Sequence, residues 1–196
     1  PDYQDHSIHV DDGTIDIFYS LEGDVEYVWY HTRSTNDGVS FSTAQQLDGI
    51  NEYDHTEGMW HVDGDNLYMV NTISDADREF KMIRSENGGS SWLSPVNMTD
   101  YDDTISEEAF DPEMLYAVNG DIHMAYTGYS VVDDENAVFI VTSTDNGASW
   151  TDPLVVYSGD DVNTGDGINI FGGTDSDVIT IIFTENISDD IANSIR

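Results

Sequence analysis

The sequence predicts an all-β chain, a β-propeller of four-stranded antiparallel blades with three blades complete and a fourth partial. Three observations carry this expectation. An eight-residue pattern, Ser-x-Asp/Asn-x-Gly-x-Ser-aromatic, begins at Ser34, Ser85 and Ser143, so its copies lie 51 and 58 residues apart. A run rich in aromatic and β-branched residues stands directly before each copy, the composition of a half-buried strand. Each unit also opens with two short apolar runs around Gly13, Gly64 or Gly120, the spacing of a tight hairpin. A self-similar period of this length marks a repeat architecture, and four strands per unit is the make-up of a propeller blade.

Taken in order, unit one spans 7–50, with strands expected at 8–10, 15–19 and 25–33 before the first eight-residue box. Unit two spans 57–99, with strands at 59–62, 67–70 and 78–84. Unit three spans 112–158, with strands at 114–118, 122–126 and 137–142. Each box is followed by a short extended stretch, and two of these carry a proline, Pro95 and Pro153, as an outer edge strand tolerates. Unit four, 167–196, supplies runs at 168–171, 178–184 and 191–196, and Arg196 stands where Arg33 and Arg84 stand ahead of their boxes. The segment through Asp5 and His6 matches Asp54 and His55, a linker before a first strand, so no returning strand is expected to close the ring. An unpaired last strand bearing Ile191 and Ile195 would favour self-association through unit four.

Within a box each residue type has a job. The Asp or Asn side chain accepts from backbone N–H groups of the turn, Gly supplies a positive φ, and the terminal aromatic tucks into the blade. The residues concerned are Ser34, Asn36, Gly38 and Phe41, then Ser85, Asn87, Gly89 and Trp92, then Ser143, Asp145, Gly147 and Trp150. This pattern resembles the Asp-box, or BNR repeat, of sialidases and related propellers. The third copy is the best match, whereas the first two carry Asn for Asp and the first also carries Phe for Trp. In that family the active site lies on the face opposite the boxes, so the resemblance implies that the boxes are structural.

Charge sets the environment. The 196 residues include 40 Asp plus Glu against 5 Lys plus Arg, a net of −35, distributed along the whole length. Like charge at that density repels itself unless concentrated salt screens it, so the chain reads as a salt-adapted protein from a halophilic source. Without a basic patch to neutralise phosphates, nucleic acid is excluded as a partner. The absence of cysteine rules out disulfides and thiolate metal sites. No apolar run reaches the roughly 18 residues of a membrane span. Pro1 at the start suggests a processed or excised piece, the sequons at Asn97 and Asn186 are compatible with surface glycosylation, and the expected location is extracellular or at the cell surface.

The loops expected opposite the boxes hold the candidate binding residues: Asp5, His6, Asp54, His55, Glu57, Glu108, Asp111 and Asp166. Carboxylates with imidazole around a central channel would bind a divalent cation or serve as acid and base on a glycoside. Acids in these loops also follow the surplus of the whole chain. The run from Asp161 through Asn163 to Gly165 resembles a Ca²⁺ loop, though it lacks a terminal bidentate acid. A sialidase would need three arginines converging on a carboxylate, yet Arg33 and Arg84 stand at the box end of their strands. No catalytic residue is therefore assigned. His9, His61 and His123 lie within strands and read as structural, as do Trp29 and Trp60. The expected function is a non-catalytic recognition or adhesion propeller of a secreted or cell-surface protein, binding carbohydrate or protein. The alternative is a sialidase-like glycoside hydrolase whose catalytic set is incomplete in this chain.

Overall fold

The computed structural model describes residues 6–22, 27–49, 59–73, 79–99, 114–118, 120–159, 161–162, 168–172 and 178–185. All regular structure in them is β. The first sheet runs β1 (His6–Asp11), β2 (Thr14–Glu22), β3 (Tyr27–Ser34) and β4 (Gln45–Gln46) in that spatial order. The second repeats it with β5 (Met59–Asp63), β6 (Asn66–Ile73), β7 (Glu79–Ser85) and β8 (Val96–Asn97). The third does so with β9 (Met114–Val118), β10 (Asp121–Ser130), β11 (Glu135–Ser143) and β12 (Leu154–Ser158). A two-stranded sheet, β13 (Asn169–Gly172) with β14 (Ile179–Ile182), begins a fourth unit. Every pairing is antiparallel. The described sheets form an open series of blades rather than a closed ring.

Several strands outrun their sequence expectation. His6 is the first residue of β1, opposite Tyr19, and not part of a linker, because ladder pairing continues past the apolar core of the strand. The third strand expected in unit four, at 191–196, lies outside the described residues.

Alternation along each strand gives every blade two different faces. On one, here called trailing, the first blade presents Asp16, Phe18, Trp29, His31, Arg33 and Leu47, all buried. Phe18, Trp29 and Leu47 form one core with Leu67, Met69 and Ile83 of the second blade, joined by Trp60, Val62 and Trp92. The second blade's trailing residues Tyr68, Val70, Phe80, Met82 and Met98 then meet Ile122, Met124, Tyr126, Phe139 and Val141 of the third, with Trp150 against them. The third blade's Ala125 and Val138 meet Ile168 and Ile170 of the fourth. Among the described residues the core is thus three slabs between blades, each joining a trailing face to the leading face of the next.

Candidate functional site

The best-defined polar constructions in the described residues are the three boxes and the joints they close. In each box two consecutive residues have positive φ: Asp37 and Gly38 at 57° and 79°, Gly88 and Gly89 at 64° and 75°, Asn146 and Gly147 at 59° and 77°. Two such residues in succession make the type I′ turn that fits the twist of paired strands. The first serine is the hub. Ser34 Oγ accepts from the Gly38 N–H at 3.0 Å and donates to Asn36 Oδ1 at 3.0 Å, and Asn36 Oδ1 accepts from the Ser40 N–H at 2.9 Å. Ser85, Asn87, Gly89 and Ser91 repeat this set, as do Ser143, Asp145, Gly147 and Ser149. Sequence reasoning counts these serines among the structural box residues but gives the turn's bonds to Asp/Asn and Gly; the recurrence of serine in all three copies was the signal for the hub.

The exchange of Asn for Asp also acquires a reason. Asn36 and Asn87 donate from Nδ2 to Ser40 Oγ at 2.9 Å and Ser91 Oγ at 2.8 Å, whereas Asp145 Oδ2 accepts from Ser149 Oγ at 2.6 Å. The serine hydroxyl rotates to suit either partner, so one bond reverses polarity and the turn survives. The hydrogen bonds from Ser149 and Ser143 hold the Asp145 carboxyl down to about 2, from an ordinary 3.8. A carboxylate with a depressed native pKa adds stability above its unfolded pKa and loses it as pH falls through the native one. Asp145→Asn is therefore expected to leave melting at neutral pH unchanged while reducing the loss on acidification between 3.8 and about 2. Thermal melts of both proteins over that range check this, and superimposable acid profiles would contradict it.

The hairpin turns share the box rim, as the Asp37 N–H donates to the Gly13 carbonyl at 3.0 Å and the Gly88 N–H to the Asp65 carbonyl at 2.9 Å. The box aromatics reach further than expected. Trp92 does not simply tuck into its own blade; its ring also meets Phe18 and His31 of the preceding one, at centroid distances of 6.2 and 5.5 Å. Phe41, which has no described blade ahead of it, is 43% exposed, against the expectation of an anchored ring. The box glycines answer to the same joints. A Cβ on Gly89 would fall 2.2 Å from the His31 ring, and one on Gly147 would fall 2.2 Å from Met82 Cε. On Gly38 it would meet only Ile15, at 3.3 Å.

The first joint contains a buried charge cluster. Arg33 donates from Nε to Asp16 Oδ1 at 2.8 Å and from Nη2 to Asp16 Oδ2 at 3.0 Å, a bidentate pair. It also crosses to the second blade, to Asp65 Oδ1 at 2.7 Å and the Gly64 carbonyl at 2.8 Å. His31 Nε2 lies 2.7 Å from Asp16 Oδ1. Burial works to raise the pKa of Asp16, but the bonds from His31 and Arg33 outweigh it and hold the carboxyl below its ordinary value. An ionised carboxylate only accepts, so His31 donates from Nε2. A cavity of about 190 Å³ beside this cluster is lined by His9, Asp11, Thr14, Asp16, Arg33, Val62, Gly64 and Asp65.

In the second joint Arg84 donates to the backbone carbonyl of Asn146, and the Tyr68 hydroxyl donates to Asn146 Oδ1. Asn146 Nδ2 reaches Glu86 Oε1 at 3.3 Å. Arg33 and Arg84 therefore tie each blade to the next and do not converge. Of the histidines, His123 Nδ1 is 2.9 Å from Thr142 Oγ1, and burial lowers the pKa of both His61 and His123. Trp29 is core, and Trp60 packs half-buried against the same slab.

The acidic set expected opposite the boxes falls almost wholly outside the described residues: Asp5, Asp54, His55, Glu57, Glu108, Asp111 and Asp166 all do, as does Asn163. His6 is exposed at the start of β1, and Asp161 is exposed in a turn beside Val162, which bridges to Glu185. Among the described residues no group of three or more His, Asp or Glu is placed to hold a metal ion. No described helix is long and apolar enough to cross a membrane.

No protein-family model and no curated protein matches the chain. Solved structures do. The Penicillium chrysogenum α-L-arabinanase, complexed with arabinobiose, superposes with a TM-score of 0.51 at 12% identity, over 78% of this chain and 48% of that one. Sucrose-6-phosphate hydrolase from Lactobacillus gasseri gives 0.49 at 16% identity, over 81% and 35%. The endo-arabinase of Bacteroides thetaiotaomicron gives 0.47 at 12%, over 93% and 74%. The chain spans about half the length of the arabinanase and about a third of the sucrose-6-phosphate hydrolase. At such identity the likeness to the arabinanase is one of fold, an all-β propeller-like series of blades.

Proposed function

We propose that this chain is a recognition or adhesion propeller module of a secreted or cell-surface protein from a halophile, without catalysis of its own. It binds a carbohydrate or protein ligand through the acidic loops opposite the boxes. One observation carries this reading: the described polar groups of the box rim are committed to holding the blades together. Arg33, Arg84 and Asn146 are bonded across joints, Asp16 holds Arg33 in place from within the first blade, and the serine hubs are bonded within turns. The resemblance of the boxes to the Asp-box agrees with that structural role. A second reading, a glycoside hydrolase with part of its catalytic set outside this chain, is favoured by the fold likeness to an arabinanase holding arabinobiose.

A glycan array and a panel of chromogenic glycosides, both in molar KCl, separate the two. Retention of glycans without turnover supports the module. Turnover would establish the hydrolase, and retention of no glycan would leave protein as the ligand class. Salt adaptation has its own test. The Debye length falls from about 10 Å at 0.1 M to about 3 Å at 1 M, so the melting temperature is expected to climb steadily from dilute buffer to molar KCl. A flat or falling series would remove the halophilic reading.

A further inference from the structure

Beyond any ligand on the acidic loops, the first blade carries a second interaction surface. Ladder partners Ile8 with Ile17, Val10 with Ile15, Tyr19 with Tyr30 and Leu21 with Val28 share its leading face. Ile8, Val10 and Leu21 are 55%, 65% and 41% exposed. Register equates Ile8, Val10, Ile15, Ile17 and Phe41 with Trp60, Val62, Leu67, Met69 and Trp92 of the second blade. There the same positions are packed under a trailing face. At the far end, Phe171 and Ile182 on the trailing side of the fourth sheet are 49% and 55% exposed, while Ile170 on its other side is buried. None of these residues is charged, in a chain with 40 acids among 196 residues. On the fourth sheet the uncharged Asn169 and Thr180 stand beside Ile182 and Phe171, whereas the face of the first blade is an apolar patch of the kind that marks an interaction site.

We infer that the leading face of the first blade receives the trailing face of the fourth sheet from a second copy of this chain, head to tail. What covers this face is legible in the chain itself, because a trailing face covers the leading face at all three internal joints. The contact is heterologous, the kind that builds rings or open series according to its rotation. It is made face to face, and so differs from strand-edge pairing through residues 191–196. Concentrated salt screens the repulsion between two copies, each of net −35, and so permits it.

Sedimentation velocity in molar KCl over a concentration series tests the inference with four proteins. The parent is expected to shift from monomer to larger species as concentration rises. Val10→Asp with Leu21→Asp blocks the head, and Phe171→Asp with Ile182→Asp blocks the tail, so each sediments alone as a monomer. An equal mixture of the two forms a one-to-one pair, since one intact head and one intact tail remain. Val39→Asp, at an 82% exposed position on the first box, adds charge off the face and associates like the parent. If a doubly charged variant melts below the parent, Val10→Thr with Leu21→Thr replaces it and weakens association in the same direction. A parent that stays monomeric throughout, a head-blocked variant that associates like the parent, or a mixture that stays monomeric would each overturn the inference.

Discussion

Arg33→Ala is expected to destabilise the protein by about 3 to 5 kcal/mol, the range for removing one member of a buried ion pair. Asp16 has no exposed surface and Arg33 is 9% exposed. Truncation leaves the carboxylate with His31 alone and removes the bridges to Asp65 and the Gly64 carbonyl. Most of the loss comes from the stranded charge. The double variant Arg33→Met with Asp16→Asn should therefore lose much less than Arg33→Ala, because shape is retained while the charge is removed. Urea denaturation at fixed molar KCl measures both. A single-variant loss below about 1 kcal/mol, the ceiling for most exposed pairs, would mean that water reaches the cluster.

Trp150→Ala is expected to be comparably severe, about 3 kcal/mol, at the lower end of the range for deleting a buried aromatic because the ring is only partly buried. The same truncation at the equivalent position of the first box, Phe41→Ala, is expected to change stability by only about 0.5 kcal/mol, as at an ordinary surface site. The two boxes share their hydrogen-bonded pairs, with one serine bond reversed in direction, and differ in whether a described blade stands ahead of them. Urea midpoints of the two variants, measured at a concentration where the parent is monomeric, give the comparison. Equal losses at both positions would show that the aromatic serves its own blade and not the joint.

The same contrast explains what the sequence could and could not disclose. Strand composition, hairpin glycines and the box pattern depend on local chemistry, so the blades and their order were readable from residues alone. Joints depend on which side chains two separate blades bring face to face. Nothing local announces that Gly89 lies against His31, or that Asn146 meets Tyr68 and Arg84. The anchoring of Phe41 was misread for that reason: its box is intact, and the burial of its equivalents comes from another blade. Asp16 illustrates the limit, since a carboxylate in an acid-rich chain reads as surface until the ladder pairs it with Arg33. Of the predicted binding residues His6 falls among the described ones, at the start of β1, and of the predicted metal residues Asp161 does, in a turn beside Val162.

Because the repeats are so alike, a folding chain faces a sorting problem: misassembly between similar units is a characteristic failure of repeat proteins. The joints differ in side chains that bear on it. His31 fits over Gly89 and Met82 over Gly147, two side chains of unlike shape and polarity addressed to two otherwise equivalent turns. Were the third blade to dock on the first, Arg33 would find Gly120 at the register position of Asp65, and Asn146 would lose the hydroxyl of Tyr68. Asp16 would still be buried, with one cross-blade contact of its arginine missing. Such a mismatch disfavours the wrong neighbour while the chain is still choosing, so the polar irregularities of each joint act as a sorting code that the uniform box pattern does not contain.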